Sequence, residues 1–181
     1  MFRRYGACAV FPVMMLVSGC GSWFASKPYA FPGPAEPSAT IRMADQSYTA
    51  LRAITVDDAG CYAGYSHVPY SNGFWQAAVI PDRRLVLQYE EQGPVGRCQI
   101  TFSFTPEQGA DYLLKPGSWS AKAPGLIPGF VHDRNYCGIG AVRRKGTEER
   151  VEPLQGLNIR PGLKCIRFVE KKPRPPVTKH P

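Results

Sequence analysis

Cysteine and histidine are the residues of this 181-residue chain whose side chains are best suited to chemistry. The six cysteines offer thiols that can be acylated, oxidised to disulfides or bound to a metal. The three histidines, His67, His132 and His180, offer imidazoles that can act as a general base or as a metal ligand. Spacing along the chain decides among these chemistries.

Four of the cysteines, Cys61, Cys98, Cys137 and Cys165, lie 37, 39 and 28 residues apart. These spacings contain no CxxC pair of the kind that zinc sites use, so we expect no metal. An even number of cysteines predicts two disulfides if the chain enters an oxidising compartment, for which the N-terminus is decisive. Four cysteines allow three ways of pairing them into two disulfides. We favour Cys98–Cys137 nested inside Cys61–Cys165, because the outer bond would then close a long loop between the first and last core strands.

The histidines show no catalytic pattern. His132 stands directly before Asp133, but neighbours in sequence cannot form a triad, in which the acid orients the ring from across the fold. The chain also contains no G-x-S-x-G elbow, no HExxH pair and no glycine-rich phosphate loop. We therefore expect no catalytic residue, no metal, no cofactor and no enzymatic activity.

The N-terminal residues form a basic and apolar pattern. Arg3 and Arg4 precede a short apolar run over residues 5–17, which is below the ~20 residues that span a bilayer. The run ends in Leu16-Val17-Ser18-Gly19-Cys20, which resembles the lipobox of a bacterial lipoprotein signal peptide. The resemblance implies that residues 1–19 are removed and that Cys20 is acylated with chains such as palmitate, which anchor the protein in a membrane. Gly21, where an aspartate often marks inner-membrane retention, favours the outer membrane and a domain that faces the periplasm.

The composition and the apolar pattern predict an all-β domain. Eighteen glycines and eighteen prolines fit short strands joined by turns. The clearest strand is 98–105, CQITFSFT, in which apolar residues alternate with polar ones. Further strands are predicted at 51–56, 74–80, 84–90, 112–114, 136–143 and 164–169. We expect an antiparallel β-sandwich of the immunoglobulin-like or transthyretin-like kind, stapled by the disulfides.

One turn in this region resembles a known pattern. Phe104-Thr105-Pro106-Glu107-Gln108-Gly109-Ala110-Asp111-Tyr112 reads F-x-P-x-x-G-x-x-Y, with Cys98 before it. It is similar to a pattern of small β-domain lipoproteins of Proteobacteria, a family with no activity attached to it, and the likeness covers roughly residues 79–143. We predict that Tyr112 is a corner tyrosine, with a packed ring and a hydroxyl bonded to nearby backbone.

Three further segments are assigned by composition. Residues 20–40 read as the lipid anchor and a proline-rich tether that could extend up to ~60 Å, with the β domain at 41–170. Residues 115–135 read as a long loop that covers one end of the domain or contacts a partner. Residues 171–181, KKPRPPVTKHP, read as a basic disordered tail.

These features predict an envelope lipoprotein with a non-catalytic accessory or binding role. Its expected partners are the membrane, through Cys20, and an envelope protein or the cell wall; export argues against nucleic acid. The alternative is a small hydrolase or ligand-binding lipoprotein with a pocket under the loop 115–135. Convergence of His67 or His132 on a carboxylate would favour the alternative, and exposure of both rings would favour the first function.

Overall fold

The computed structural model describes residues 26–46, 48–93, 96–124, 131–163 and 165–172. Over these residues the chain is all-β and folds into two six-stranded sheets in a sandwich-like arrangement. The predicted fold class is therefore confirmed. The strands are β1 Ala39–Ala44, β2 Thr49–Val56, β3 Tyr62–His67, β4 Tyr70–Ser71, β5 Phe74–Val79, β6 Leu85–Gly93, β7 Gly96–Phe104, β8 Asp111–Pro124, β9 Val131–Lys145, β10 Glu148–Glu152, β11 Gln155–Pro161 and β12 Ile166–Glu170.

The first sheet has the order β10-β9-β8-β1-β5-β4. Its neighbours pair antiparallel, except that β1 pairs parallel to β8, with Ile41 opposite Tyr112. A parallel pair requires a long connection between its strands, and here that connection contains most of the second sheet. The pattern is thus mostly, but not purely, antiparallel.

The second sheet has the order β12-β11-β7-β6-β2-β3, with antiparallel pairing throughout. The β6–β7 hairpin forms its centre and contains the predicted strand 98–105. Alternation along these strands sends one set of apolar side chains toward the first sheet. That set joins the inward side chains of the first sheet in a single core. The largest fully buried members of the core include Ile41, Met43, Leu51, Leu87, Tyr89, Phe102, Tyr112 and Leu114.

Tyr112 is a corner tyrosine, as the sequence predicted. Its ring is buried and lies against that of Phe104, with the ring centroids 4.8 Å apart. Its hydroxyl oxygen accepts a hydrogen bond of 2.8 Å from the backbone N–H of Glu107. The turn between β7 and β8 is therefore held to the strand that follows it.

Part of the segment expected to be a tether, residues 20–40, is docked on the domain where the structure describes it. Residues from Lys27 onward lie against the domain, and β1 begins at Ala39 rather than at 41. Tyr29 and Phe31 pack against the main core, and the backbone N–H of Ile80 donates to the Tyr29 hydroxyl. These two rings supply the apolar area that a proline-rich stretch otherwise lacks, which is why the segment docks.

The prediction of a long loop at 115–135 is wrong for the residues that the structure describes. Residues 115–124 complete β8 and residues 131–135 begin β9, so the segment is the far part of one long hairpin. Its three prolines and three glycines suggested a loop, but over the described residues the cross-strand pairing of β8 with β9 overrides their weak strand propensity.

Candidate functional site

The four domain cysteines form two disulfides that hold the candidate binding surfaces in place. Cys61 bonds Cys165 with their Cα atoms 5.5 Å apart, and Cys98 bonds Cys137 with their Cα atoms 6.2 Å apart. This is the nested pairing that the sequence favoured. Cys20, the predicted lipidation site, lies outside the described residues, as do His180 and all of the basic tail beyond Lys172.

The two described histidines lie on different sheets. His67 ends β3 in the second sheet and is exposed, with its ring 5.3 Å from that of Tyr65. His132 lies on β9 in the first sheet and is also exposed. Within the described ranges, no three His, Cys, Asp or Glu side chains lie close enough together to hold a metal.

The second sheet curls away from the first until its two edge strands meet. The Cys61–Cys165 disulfide joins the residues that directly precede these strands, and Cys61 also forms an antiparallel bridge with Arg167 of β12. At the first residue of β3, the ring of Tyr62 lies 6.3 Å from that of Phe168. The outer face of this sheet is consequently concave.

A groove of about 360 Å³ runs along this concave face. Its floor belongs to a second apolar cluster, separate from the main core, in which Ile54, Val86 and Leu157 are buried. Strand alternation explains the two clusters, because neighbouring residues of β2 point to opposite faces of the sheet. The side chains that line the groove are Arg52, Ile54, Tyr62, Tyr65, Gln88, Ile159, Ile166 and Phe168.

An ion-pair network fixes the polar end of the groove. Arg52 donates to Glu90 Oε2 at 2.6 Å and to Gln88 Oε1 at 3.1 Å, and its guanidinium lies 5.5 Å from the centre of the Tyr65 ring. Arg97 contacts the other Glu90 oxygen at 2.6 Å. The hydrogen bond from Arg52, helped by the positive charges of Arg52 and Arg97, lowers the pKa of Glu90. Glu90 is thus held ionised, as an acceptor and not as a proton donor.

The far part of the β8–β9 hairpin, residues 115–124 and 131–140, forms the second candidate surface, which we call the aromatic hairpin. Trp119 and Tyr136 stand opposite each other on its outer face, with rings stacked at 15° and 5.9 Å between centroids. The indole is 54% exposed. It lies over Gly138, where an added Cβ would come within 2.9 Å of Trp119 Cζ3. Only glycine therefore leaves space for the ring in this position.

Charged residues surround a small depression at the base of the aromatic hairpin. The depression has a volume of about 220 Å³ and lies on the outer face of the first sheet. Arg144 pairs with Glu149 at 2.7 Å on its rim, and the pair lowers the pKa of Glu149. Lys115 and Asp111 add one charge of each sign. This surface is suited to polar contacts with a partner.

Sequence reasoning missed most of these residues. It placed Arg52 and Glu90 on predicted strands, but it could not pair them, because their side chains meet only through the β2–β6 register. Strand β3 was not predicted, so Tyr62 and Tyr65 were not assigned to a surface. The alternation Leu157-Asn158-Ile159 was the available signal for β11. Asn72-Gly73, both with positive φ, was the signal for the β4–β5 turn.

Comparison with protein-family models, with curated proteins and with solved structures finds no match for this chain. In the described part of the chain, no helix has the length and apolar character to cross a membrane.

Proposed function

We propose that this protein is a lipid-anchored component of the bacterial cell envelope with a non-catalytic binding or accessory role. The run that ends in Cys20 supports the anchor, since it has the charge, length and small residues of a lipoprotein signal. In this proposal the acyl chains on Cys20 hold the domain on the outer membrane, facing the periplasm. Several acyl chains give stable attachment where a single one does not.

The stacked pair of Trp119 and Tyr136 is the observation that supports a binding role. Large aromatic side chains that are exposed and rigid are enriched among the residues that dominate protein interfaces. Here the Cys98–Cys137 disulfide lies one residue from Tyr136, and the stack itself restricts both rings. Little side-chain entropy remains to be lost when a partner covers them.

The partner that we propose for the aromatic hairpin is another envelope protein. Charges of both signs lie near the aromatic pair along β9, with Arg134 5.9 Å from the Tyr136 ring centre and the exposed Asp133 next to Arg134 in the strand. Mixed charges around an aromatic centre match the polar rim and aromatic core of protein interfaces. The cell-wall polymer is the alternative partner, and the experiment separates the two.

The test places a photo-crosslinking amino acid at exposed position 134 in cells that make the protein from its own signal peptide. We expect a discrete protein adduct that is lost with Trp119→Ala or Tyr136→Ala. Tyr70→Ala is the matched control, because Tyr70 is also exposed and also packs on an aromatic ring, that of Trp75. An adduct that sediments with the cell wall would change the partner to the polymer. Equal adducts in all variants, or none, would contradict a binding role for the hairpin.

A further inference from the structure

Exposed apolar side chains border the groove of the second sheet. Tyr65 is 42% exposed, and Leu163, in the turn between β11 and β12, is fully exposed. The Cys61–Cys165 disulfide holds that turn beside the start of β3. We call this set the apolar rim; its members are Tyr62, Tyr65, Ile159, Leu163 and Ile166. Such a cluster on one side of a small domain indicates a contact surface.

The chain reaches the domain next to this rim. Lys27 donates its backbone N–H to the carbonyl oxygen of Ala63 on β3 at 2.8 Å. The contact is tight, since a Cβ on Gly64 would lie 2.6 Å from the Lys27 carbonyl oxygen and 2.7 Å from Ser26 Oγ. Ile54 lines both the groove and a second depression that Lys27 borders. The docked segment and the groove are therefore neighbours on the surface.

The docked segment leaves little free chain between the anchor and the rim. Six residue steps separate Cys20 from Ser26, and a fully extended chain of that length reaches only about 20 Å. A domain held at this distance by β3 cannot stand clear of the bilayer as it would on a tether of twenty residues. The surface around β3 is the part of the domain that the anchor brings nearest to the lipid.

The side chains of the rim suit a lipid–water interface. Tyrosine is enriched there because its ring enters the apolar layer while its hydroxyl stays hydrated, and isoleucine and leucine gain by burial. The charges nearby are mixed. Among the described residues, exposed basic side chains include Lys27, Arg160, Arg167, Lys171 and Lys172, and exposed acidic ones include Asp57, Asp58 and Glu170. The proposal therefore rests on the apolar and aromatic contact of the rim, to which basic side chains can add attraction for anionic lipid.

We propose that the apolar rim rests on the interface of the bilayer that holds the acyl chains of Cys20, so that the second sheet faces the membrane. This inference rests on the lipid anchor of the proposed function. Because Trp119 lies on the outer face of the other sheet, the aromatic hairpin then faces away from the membrane. The domain would in this way have one face for the bilayer and the opposite face for its partner.

The test measures which face touches lipid. A photo-crosslinking phenylalanine analogue replaces Tyr65, or Val151 as the control, which is 78% exposed on β10 of the first sheet. Both positions are exposed, so neither replacement disturbs the core. The lipidated protein is placed in vesicles of phosphatidylethanolamine and phosphatidylglycerol and illuminated. We expect lipid adducts about tenfold more abundant at position 65 than at 151, the ratio that burial of one such side chain implies.

Two results would overturn the proposal. One is an equal or larger lipid yield at position 151. The other is a protein–protein adduct at position 65, which would assign the rim to a second copy of this chain. Ile166→Ser in the same protein should lower the lipid yield at position 65, whereas Val151→Ser should not.

A second form of the protein separates failure of the orientation from failure of the anchor. The mature chain from Cys20 is made without acylation, and its Cys20 thiol is coupled to a maleimide phospholipid in the same vesicles. The ratio of lipid adducts at position 65 to those at position 151 should be the same as with native acylation. If the coupled protein fails to show it, the orientation is wrong. If the native chain carries no acyl group while the coupled chain shows the pattern, the proposed anchor is what fails.

Discussion

The backbone N–H of Lys27 donates to the carbonyl oxygen of Ala63 at 2.8 Å, so residues just beyond the predicted lipidation site are fixed to strand β3. The hydroxyl of Ser66 strengthens this contact by donating to the carbonyl oxygen of Tyr29 at 2.8 Å. Between Cys20 and the domain the chain therefore has about a third of the reach that a fully extended tether over residues 20–40 would provide. The orientation that we propose for the domain on a membrane depends on this docking.

Substitution of Gly64 by alanine should release the docked segment. The new Cβ would meet the Lys27 carbonyl oxygen at 2.6 Å, a distance at which either the segment or β3 must move. Hydrogen exchange followed by mass spectrometry should show faster exchange over residues 26–31 and little change in β6 and β7. Gly117→Ala is the control, because an added Cβ there meets no atom within 4 Å. Unchanged exchange over residues 26–31 in Gly64→Ala would show that the contact is not structural.

Removal of the Tyr112 hydroxyl should destabilise the domain by about 1–2 kcal/mol, the cost of leaving the Glu107 N–H without its acceptor. Tyr112→Phe keeps the ring and its contact with Phe104, so the change isolates the hydrogen bond. Urea unfolding at neutral pH measures the loss. Tyr48→Phe, at a side chain that is 82% exposed, should leave the free energy of unfolding unchanged. Equal stability of the two variants would contradict the corner role.

The outer disulfide should contribute more stability than the inner one. The Cys61–Cys165 bond closes a loop of 104 residues and the Cys98–Cys137 bond one of 39. Chain-entropy arithmetic gives about 4.7 and about 3.9 kcal/mol, a difference of about 0.8 kcal/mol. Paired Cys→Ser variants of each bond, unfolded in urea, test this order. A larger loss from the inner pair would mean that strain or residual structure in the unfolded chain outweighs loop length.

Glu90→Gln should destabilise the domain at neutral pH and lose that effect in acid. Because Arg52 and Arg97 hold the pKa of Glu90 below its usual range, ionisation of Glu90 stabilises the folded state above the unfolded-state pKa of roughly 4.3. The stabilisation disappears as the pH falls through the lower folded-state pKa. We expect a loss of about 2 kcal/mol at pH 7, because the variant leaves Arg52 partly buried without its anion.

Urea unfolding of the wild type and of Glu90→Gln, at neutral pH and in acid, measures whether the difference in their free energies of unfolding disappears in acid. The matched control is Glu149→Gln, whose partner Arg144 is exposed, and which should change stability little at either pH. A difference between wild type and Glu90→Gln that persists or grows in acid would contradict the role given to the ion pair.

The strands that the sequence predicted best are those with strict alternation. CQITFSFT became β7, and the predicted strand 84–90 became β6, because each has one face in the main core and aligns with the other along the hairpin. The corner role of Tyr112 was also predictable. The F-x-P-x-x-G-x-x-Y pattern from Phe104 to Tyr112 indicated the packed ring and the bonded hydroxyl that the structure shows.

The elements that the sequence did not predict depend on contacts distant in the chain. Tyr29 and Phe31 lie in a segment whose prolines favour an extended tether, and only the core between the sheets gives them a place to pack. Residues 115–120 have the composition of a loop, but they form a strand because β9 pairs with them residue by residue. The groove forms because the two edge strands of the second sheet meet. The positions of Cys61 and Cys165 in the sequence suggested this contact, but they did not show on which face of the sheet the groove would lie.

Intact mass and membrane partitioning of the protein made with its native signal peptide, beside Cys20→Ala, test the central claim most directly. The account predicts a mass equal to residues 20–181 plus acyl chains, and recovery of the protein in the membrane fraction. It also predicts that Cys20→Ala loses both the added mass and the membrane association. A soluble mature chain without acyl groups would contradict the lipid anchor and, with it, the proposed place of this protein on the envelope.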